Sequence, residues 1–171
     1  MRHLAKRRKK FLMITGIVIA AVIALAVFIK YEIDISYNNL ETEEYTVTSD
    51  RIGSDVKIVL ISDLHDHTFG EKNKELVQML KDQKPDLILM AGDMINDVSK
   101  DSHVAVELIE QVKDIASVYY SLGNQEEDYI AKETSDLISE LQDAGAIVLD
   151  ESYRDIVVNG NSIRLGGMYD Y

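Results

Sequence analysis

Apolar and polar positions divide the chain into three stretches. Phe11–Ile29 is a run of 19 residues without a charge, in which Thr15 is the one polar side chain. A helix needs about 20 such residues to cross a bilayer core. Residues 31–43 are polar and acidic and read as a stalk. From Glu44 the pattern becomes that of a folded domain. Glu44–Thr48 alternates weakly, as an edge strand would. Val56–Ile61 is a nearly unbroken apolar run, which predicts a strand buried on both faces. Leu76, Val77, Met79 and Leu80 mark a helix over 71–82, and Pro85 separates it from a second apolar strand, Leu87–Ala91. Ala105, Leu108, Ile109 and Val112 recur at helical spacing within 102–116, ahead of a third strand over 117–122. Leu137, Ile138, Leu141 and Ala144 mark a further helix that Gly145 can stop. Ala146–Leu149 is a fourth strand, and Asn159-Gly160-Asn161 between short apolar runs is a hairpin signal.

Strand and helix thus alternate three times. The expected fold class is α/β, with mostly parallel central strands joined by helical crossovers and one antiparallel hairpin at the end.

Charge sharpens the division at residue 30. The first 30 residues hold seven of the 18 Lys and Arg and no acid, which leaves 11 basic against all 30 acidic side chains in the remainder, a net −19. So acidic a body offers no basic face to a nucleic-acid backbone, and no nucleic-acid binding is expected. KRRKK at 6–10 directly precedes the apolar run. By the positive-inside rule this is a cytoplasmic tail, 1–10, before a transmembrane anchor, 11–30, with the acidic body on the far side of the cell membrane. A cleaved signal peptide is the competing reading, although the run exceeds the roughly 7–15 residues of a signal core. The chain has no cysteine, which excludes disulfides and thiolate metal sites.

The candidate chemistry lies at the strand ends. Ile61-Ser62 leads to Asp63, Ala91-Gly92 to Asp93, and Leu122-Gly123 to Asn124. The intervals are 30 and 31 residues, one strand–helix–strand unit each. Parallel strands put these ends along one edge of the sheet, where ligand sites of open α/β sheets lie. His65 joins them two residues after Asp63. A carboxylate, an imidazole and an amide oxygen together suit Mn²⁺, Fe²⁺ or Zn²⁺. Taken singly, each Asp or Asn is more simply a turn former or helix cap. The common register is what makes a shared site the better explanation.

SDLH at 62–65, GDMIND at 92–97 and GNQE at 123–126 resemble, in order and spacing, the motifs of the calcineurin-like metallophosphoesterases. ISDLH, Phe69-Gly70, Pro85-Asp86-Leu87 and Leu122–Asn124 are similar to the membrane-anchored bacterial branch that includes phosphodiesterases and UDP-2,3-diacylglucosamine hydrolases. The resemblance covers about residues 45–171. It implies a β-sandwich flanked by helices, of which 44–171 would be the N-terminal part only. It also implies two divalent ions, with Asp63 and His65 on the first, Asp93 bridging, and Asn124 on the second and touching substrate phosphate. The implied partner is a phosphorylated substrate, with lipid-linked ones within reach of an anchored domain.

Two departures bear on activity. The family carries a catalytic histidine after the Asn, where this chain has Gln125, which can donate a hydrogen bond but not act as a general acid near neutral pH. The family's later metal histidines, including a G-H-x-H segment, have no counterpart after Asp93. The expectation is a membrane-anchored metal-dependent phosphoesterase. The alternative is a catalytically impaired protein of the same fold that binds metal or a phosphorylated ligand. A plain acidic interaction domain ranks last, since it leaves the register unexplained. His67 is read as an exposed loop histidine, His103 as lying on a solvated helix face, and Asp66, Glu126, Glu127 and Asp128 as ordinary solvated charge.

Overall fold

The computed structural model describes residues 2–133 and 136–168. Met1 of the expected tail and residues 134–135 and 169–171 of the expected domain lie outside the described residues, as does the side chain of His3. The chain divides into two units, 1–43 and 44–171.

The first unit is dominated by α1, Arg2–Asn38, 37 residues long. At 1.5 Å per residue that is roughly 55 Å of helix. By length and composition it can cross a membrane, a test that a signal sequence near the N-terminus also passes. It does not stop at Lys30: Tyr31–Asn38 of the expected stalk continues the helix, and only 39–43 lack regular structure.

In the second unit β1 (Ile58–Ile61), β2 (Leu87–Ala91), β3 (Ser117–Ser121) and β4 (Ile147–Val148) form one parallel sheet in that order. The crossovers carry α2 (Lys74–Gln83), α3 (His103–Val112), and then α4 (Asn124–Glu133) with α5 (Leu137–Ala144). β5 (Ser152–Val158) and β6 (Asn161–Gly167) form the antiparallel hairpin. Its two-residue turn, Asn159-Gly160, has positive φ at both positions, the condition for a type I′ turn.

Side chains alternate across a strand, which sorts the sheet into two faces. Ile88, Met90, Val118 and Tyr120 point one way and are fully or almost fully buried. α2, α3 and α5 each bury an apolar stripe as well, with Leu80, Leu108 and Leu141 among the buried side chains, so this is the helix-covered face. Leu87, Leu89 and Tyr119 point the other way and pack with Ile147 and Leu149 against Ile156, Val158 and Leu165 of the hairpin. The unit therefore has three layers: helices, parallel sheet, hairpin.

Three expectations need correction. β1 is not buried on both faces. It is an edge strand, and Ile58 and Leu60, in register with Leu87 and Leu89, remain 43% and 64% exposed. The hairpin covers β2 to β4 and stops short of them. Glu44–Thr48 is not a strand: it has no regular structure, and Tyr45 and Val47 are 83% and 91% exposed. An unexpected helix, α4, follows the third strand directly.

The segment before β1 is held by the hairpin instead. The buried side chain of Asn161 accepts from Gly53 N (2.8 Å) and donates to Ser54 O (2.9 Å), so it occupies backbone groups that no strand pairs.

Candidate metal centre

The parallel register brings the three strand ends side by side: Ile61 lies beside Met90, and Ala91 beside Ser121. Beyond the strands the chain stays laced. Asp63 N donates to Gly92 O (3.2 Å), His65 N to Asp93 O (3.0 Å) and Asp66 N to Met94 O (3.0 Å). To make these bonds Asp63, His65, Asp66 and Asp93 all adopt positive φ, between 50° and 59°. A non-glycine residue in that region costs of order 1 kcal/mol or more, and such residues concentrate at functional sites.

Two glycines make the close approach possible. A Cβ on Gly92, whose φ is 81°, would lie 2.6 Å from the backbone of Gly123. A Cβ on Gly123 would lie 2.2 Å from Asp93 Oδ1. The second glycine is thus required for its missing side chain, because any larger residue would collide with the carboxylate.

The result is a cluster of Asp63, His65 and Asp93, whose donor atoms lie within 4.8 Å of one another. His65 Nε2 is 3.9 Å from Asp63 Oδ1. Asp63 and His65 are exposed and Asp93 is half-buried, so the cluster opens to solvent. Ligand atoms around one tetrahedrally coordinated ion, each about 2.0–2.2 Å from it, are ~3.3–3.6 Å apart. The three groups need to close by roughly 1 Å to share an ion, and their chemistry, two carboxylates and an imidazole, suits a divalent transition metal.

Asn124 is the first residue of α4 and is exposed. The next amide, Gln125 N, donates to Asp93 Oδ1 at 3.1 Å, which sets the start of α4 against the cluster. The side chain of Gln125 is half-buried, and its Oε1 accepts from Asp97 N at 2.9 Å. Its carbonyl is therefore committed to the loop after β2.

The sequence reading missed what holds this arrangement. Glu126 is not a solvated charge; it is fully buried. Its carboxylate accepts from Asp93 N, Met94 N and Gly123 N, each at 2.8 Å, from Ile95 N at 3.4 Å, and from the Tyr120 hydroxyl at 2.8 Å. One side chain thus ties the ends of β2 and β3 together and fixes the loop carrying Asp93. Burial, and then the adjacent Glu126 charge, push the Tyr120 phenol well above its ordinary pKa, so it stays a donor.

Asp66 is likewise not a rim charge. Its Oδ2 accepts from Asn96 N (3.1 Å), Asn96 Nδ2 (2.9 Å) and the Ser99 hydroxyl, clasping the 96–99 loop. His67 is half-buried with its ring edge-on to Phe69, 4.6 Å between centroids. His103 is exposed and pairs with Asp101, as a solvated position would.

Residues 56–167 match the calcineurin-like phosphoesterase family, a stretch that includes every residue of the cluster. The chain belongs to this family. Proteins similar to it are also named as metallophosphoesterases. One from Caenorhabditis elegans is 29% identical over 117 residues, 67% of this chain and 24% of that protein. One from Campylobacter jejuni is 26% identical over 174 aligned positions, 97% of this chain and 46% of that protein. One from Bacillus subtilis is 24% identical over 158, 87% and 58% respectively. This calcineurin-like phosphoesterase chain thus spans about half the length, or less, of the first two relatives. Family membership carries with it divalent-metal dependence and phosphoester hydrolysis as the family's chemistry.

Proposed function

We propose that this chain acts as a membrane-anchored, metal-dependent phosphoesterase whose domain lies outside the cytoplasm. The observation that carries the reading is the convergence of Asp63, His65 and Asp93 at the parallel strand ends within the family match. Asp63 and His65 would hold one divalent ion, Asn124 a second, and Asp93 would be shared. Such ions, when bound, polarise a phosphoryl oxygen and acidify an attacking water.

The chain's own residues then have distinct tasks. The backbone bond from Gln125 N to Asp93 Oδ1 orients that carboxylate and leaves Oδ2 for a ligand. The Asn124 amide donates to a phosphate oxygen. With Gln125 Oε1 occupied by Asp97 N, the Gln125 Nε2 group remains as a donor that stabilises phosphoryl charge without transferring a proton. Substrates with a good leaving group, which need no general acid, suit this site best. The lysine- and arginine-rich start of α1 favours a cytoplasmic N-terminus, and an outward domain tethered close to the bilayer suits phosphodiesters of the envelope, lipid-linked ones included.

A second reading, a protein that binds metal or a phosphorylated ligand without turnover, is favoured by the same glutamine. The test is Mn²⁺-dependent hydrolysis of bis(p-nitrophenyl) phosphate by the full chain, by Asp93→Asn and by Gln125→His. The enzyme reading expects turnover that Asp93→Asn abolishes; Gln125→His should change it little on this activated aryl diester, whose leaving group needs no proton, and raise it by a factor of about 10²–10⁴, the usual worth of a general acid, on a diester with an alkyl leaving group. Bound Mn²⁺ without turnover in either the wild type or the histidine variant supports the second reading.

A further inference from the structure

The loop after β2 contains a hydrogen-bond chain that ends on a candidate ligand. Asn96 Oδ1 lies 3.0 Å from His65 Nδ1. The Asn96 amide nitrogen donates to His65 O (2.9 Å) and to Asp66 Oδ2 (2.9 Å). Both of those partners are acceptors only, a carbonyl and a carboxylate. They use the two N–H bonds of the amide and so determine which way it points. Turning it over would set Asn96 Oδ1 against two other oxygens. With the amide so fixed, the atom facing His65 Nδ1 is an oxygen, which cannot donate. The proton of a neutral His65 must therefore sit on Nδ1, which leaves the lone pair on Nε2. That nitrogen is the one 3.9 Å from Asp63 Oδ1.

The frame around the chain is firm at both ends. Asp66 Oδ2 also accepts from Asn96 N (3.1 Å) and from the Ser99 hydroxyl, and Asn96 N contacts Ser99 Oγ as well (3.1 Å). His65 N is bonded to Asp93 O. Rotation of the imidazole or of the amide would break a bond that the backbone holds in place. A histidine ligand whose other ring nitrogen donates to a fixed acceptor is aimed and made more basic, and loss of that acceptor usually costs about 10–100-fold in metal affinity.

We propose that Asn96, itself oriented by Asp66, is the positioning residue of the metal centre, holding His65 in its Nδ1–H tautomer so that Nε2 faces Asp63 and Asp93. This rests on the metal-binding reading above. It extends that reading to two residues outside the ligand set, one of which, Asp66, looks like surface charge in the sequence.

The test is ¹⁵N NMR of the full chain in detergent micelles, labelled at histidine, metal-free and above the ordinary histidine pKa. The His65 signals are assigned by their loss in His65→Ala. The wild type is expected to show the Nδ1–H form at His65. Asn96→Leu, which removes the acceptor, is expected to shift it to the Nε2–H form that free imidazole side chains prefer. Finding Nε2–H in the wild type overturns the proposal even if no variant folds, and so does an unchanged tautomer in a folded Asn96→Leu. Calorimetric titration with Mn²⁺ is expected to show affinity about 10–100-fold weaker in Asn96→Leu. Absence of Mn²⁺ binding in a wild type that shows the Nδ1–H form would refute the metal reading alone, so the two failures are distinguishable.

Discussion

Glu126→Gln is the substitution that probes the site's scaffold most sharply, because it changes one atom in a fully buried side chain. Glu126 Oε1 serves Tyr120, Met94 N and Ile95 N, while Oε2 serves Asp93 N and Gly123 N. Glutamine keeps one oxygen. Whichever end it occupies, an NH₂ group at the other end faces N–H donors, and at least two donors lose their acceptor. Each stranded buried donor costs about 1–3 kcal/mol. A neutral amide is cheaper to bury than a carboxylate, which returns part of that, so the expected net loss is about 2–4 kcal/mol. A domain of this size has only about 5–15 kcal/mol in all. Near-UV circular dichroism can follow thermal unfolding of the full chain in micelles, since the nine tyrosines report without interference from tryptophan. At about 3 °C or more per kcal/mol, the melting point should fall by roughly 6 °C or more. A glutamine variant that melts within about 1 °C of wild type would refute the assignment of Glu126 as the common acceptor of these loops.

Three further outcomes follow from the same geometry. Gly123→Ala places a Cβ 2.2 Å from Asp93 Oδ1 and should lower both stability and Mn²⁺ affinity, whereas Gly166→Ala, whose nearest neighbour is 3.9 Å away, should change neither measurably in melting and calorimetric titration. Ile88→Ala should cost about 2–5 kcal/mol in urea unfolding and Leu60→Ala less than about 1, because the first is wholly buried and the second is 64% exposed. Asp86 Oδ2 accepts from Lys57 N at 2.7 Å, and that bond, helped by the Asn159 side chain, holds its carboxyl below the usual range. A depressed folded-state value stabilises above the unfolded pKa of about 3.9 and is lost as pH falls through the lower folded one. Melting points taken down through that range should thus fall less steeply for Asp86→Asn than for wild type, and equal slopes would contradict the role given to this bond.

The parallel sheet and the convergence at its edge were legible because they rest on local signals: short apolar runs, glycine after the strand, and a repeat of 30 and 31 residues between the functional positions. What the sequence could not carry was context. Val56–Ile61 reads as doubly buried, yet whether Leu60 is covered depends on how far a hairpin a hundred residues later extends. Asn124–Glu133 escaped notice as a helix because its inward positions include a glutamate, Glu126, beside Tyr129, so no apolar stripe marks it. For the same reason Glu126 and Asp66 looked like solvent-facing charge: a carboxylate that satisfies backbone N–H groups has the same letter as one that faces water. The signal that could have exposed Glu126 was its place three residues after Gly123, within reach of the loop end it caps.

The central claim is that side chains from successive strand ends share a cation. Crystals of the full chain soaked in Mn²⁺, with diffraction recorded at the manganese absorption edge, test it directly. The account predicts an anomalous peak about 2.0–2.3 Å from a carboxylate oxygen of Asp63 and of Asp93 and from Nε2 of His65. An ordered loop region with no peak there, at Mn²⁺ concentrations that label other acidic sites on the same molecule, would contradict it.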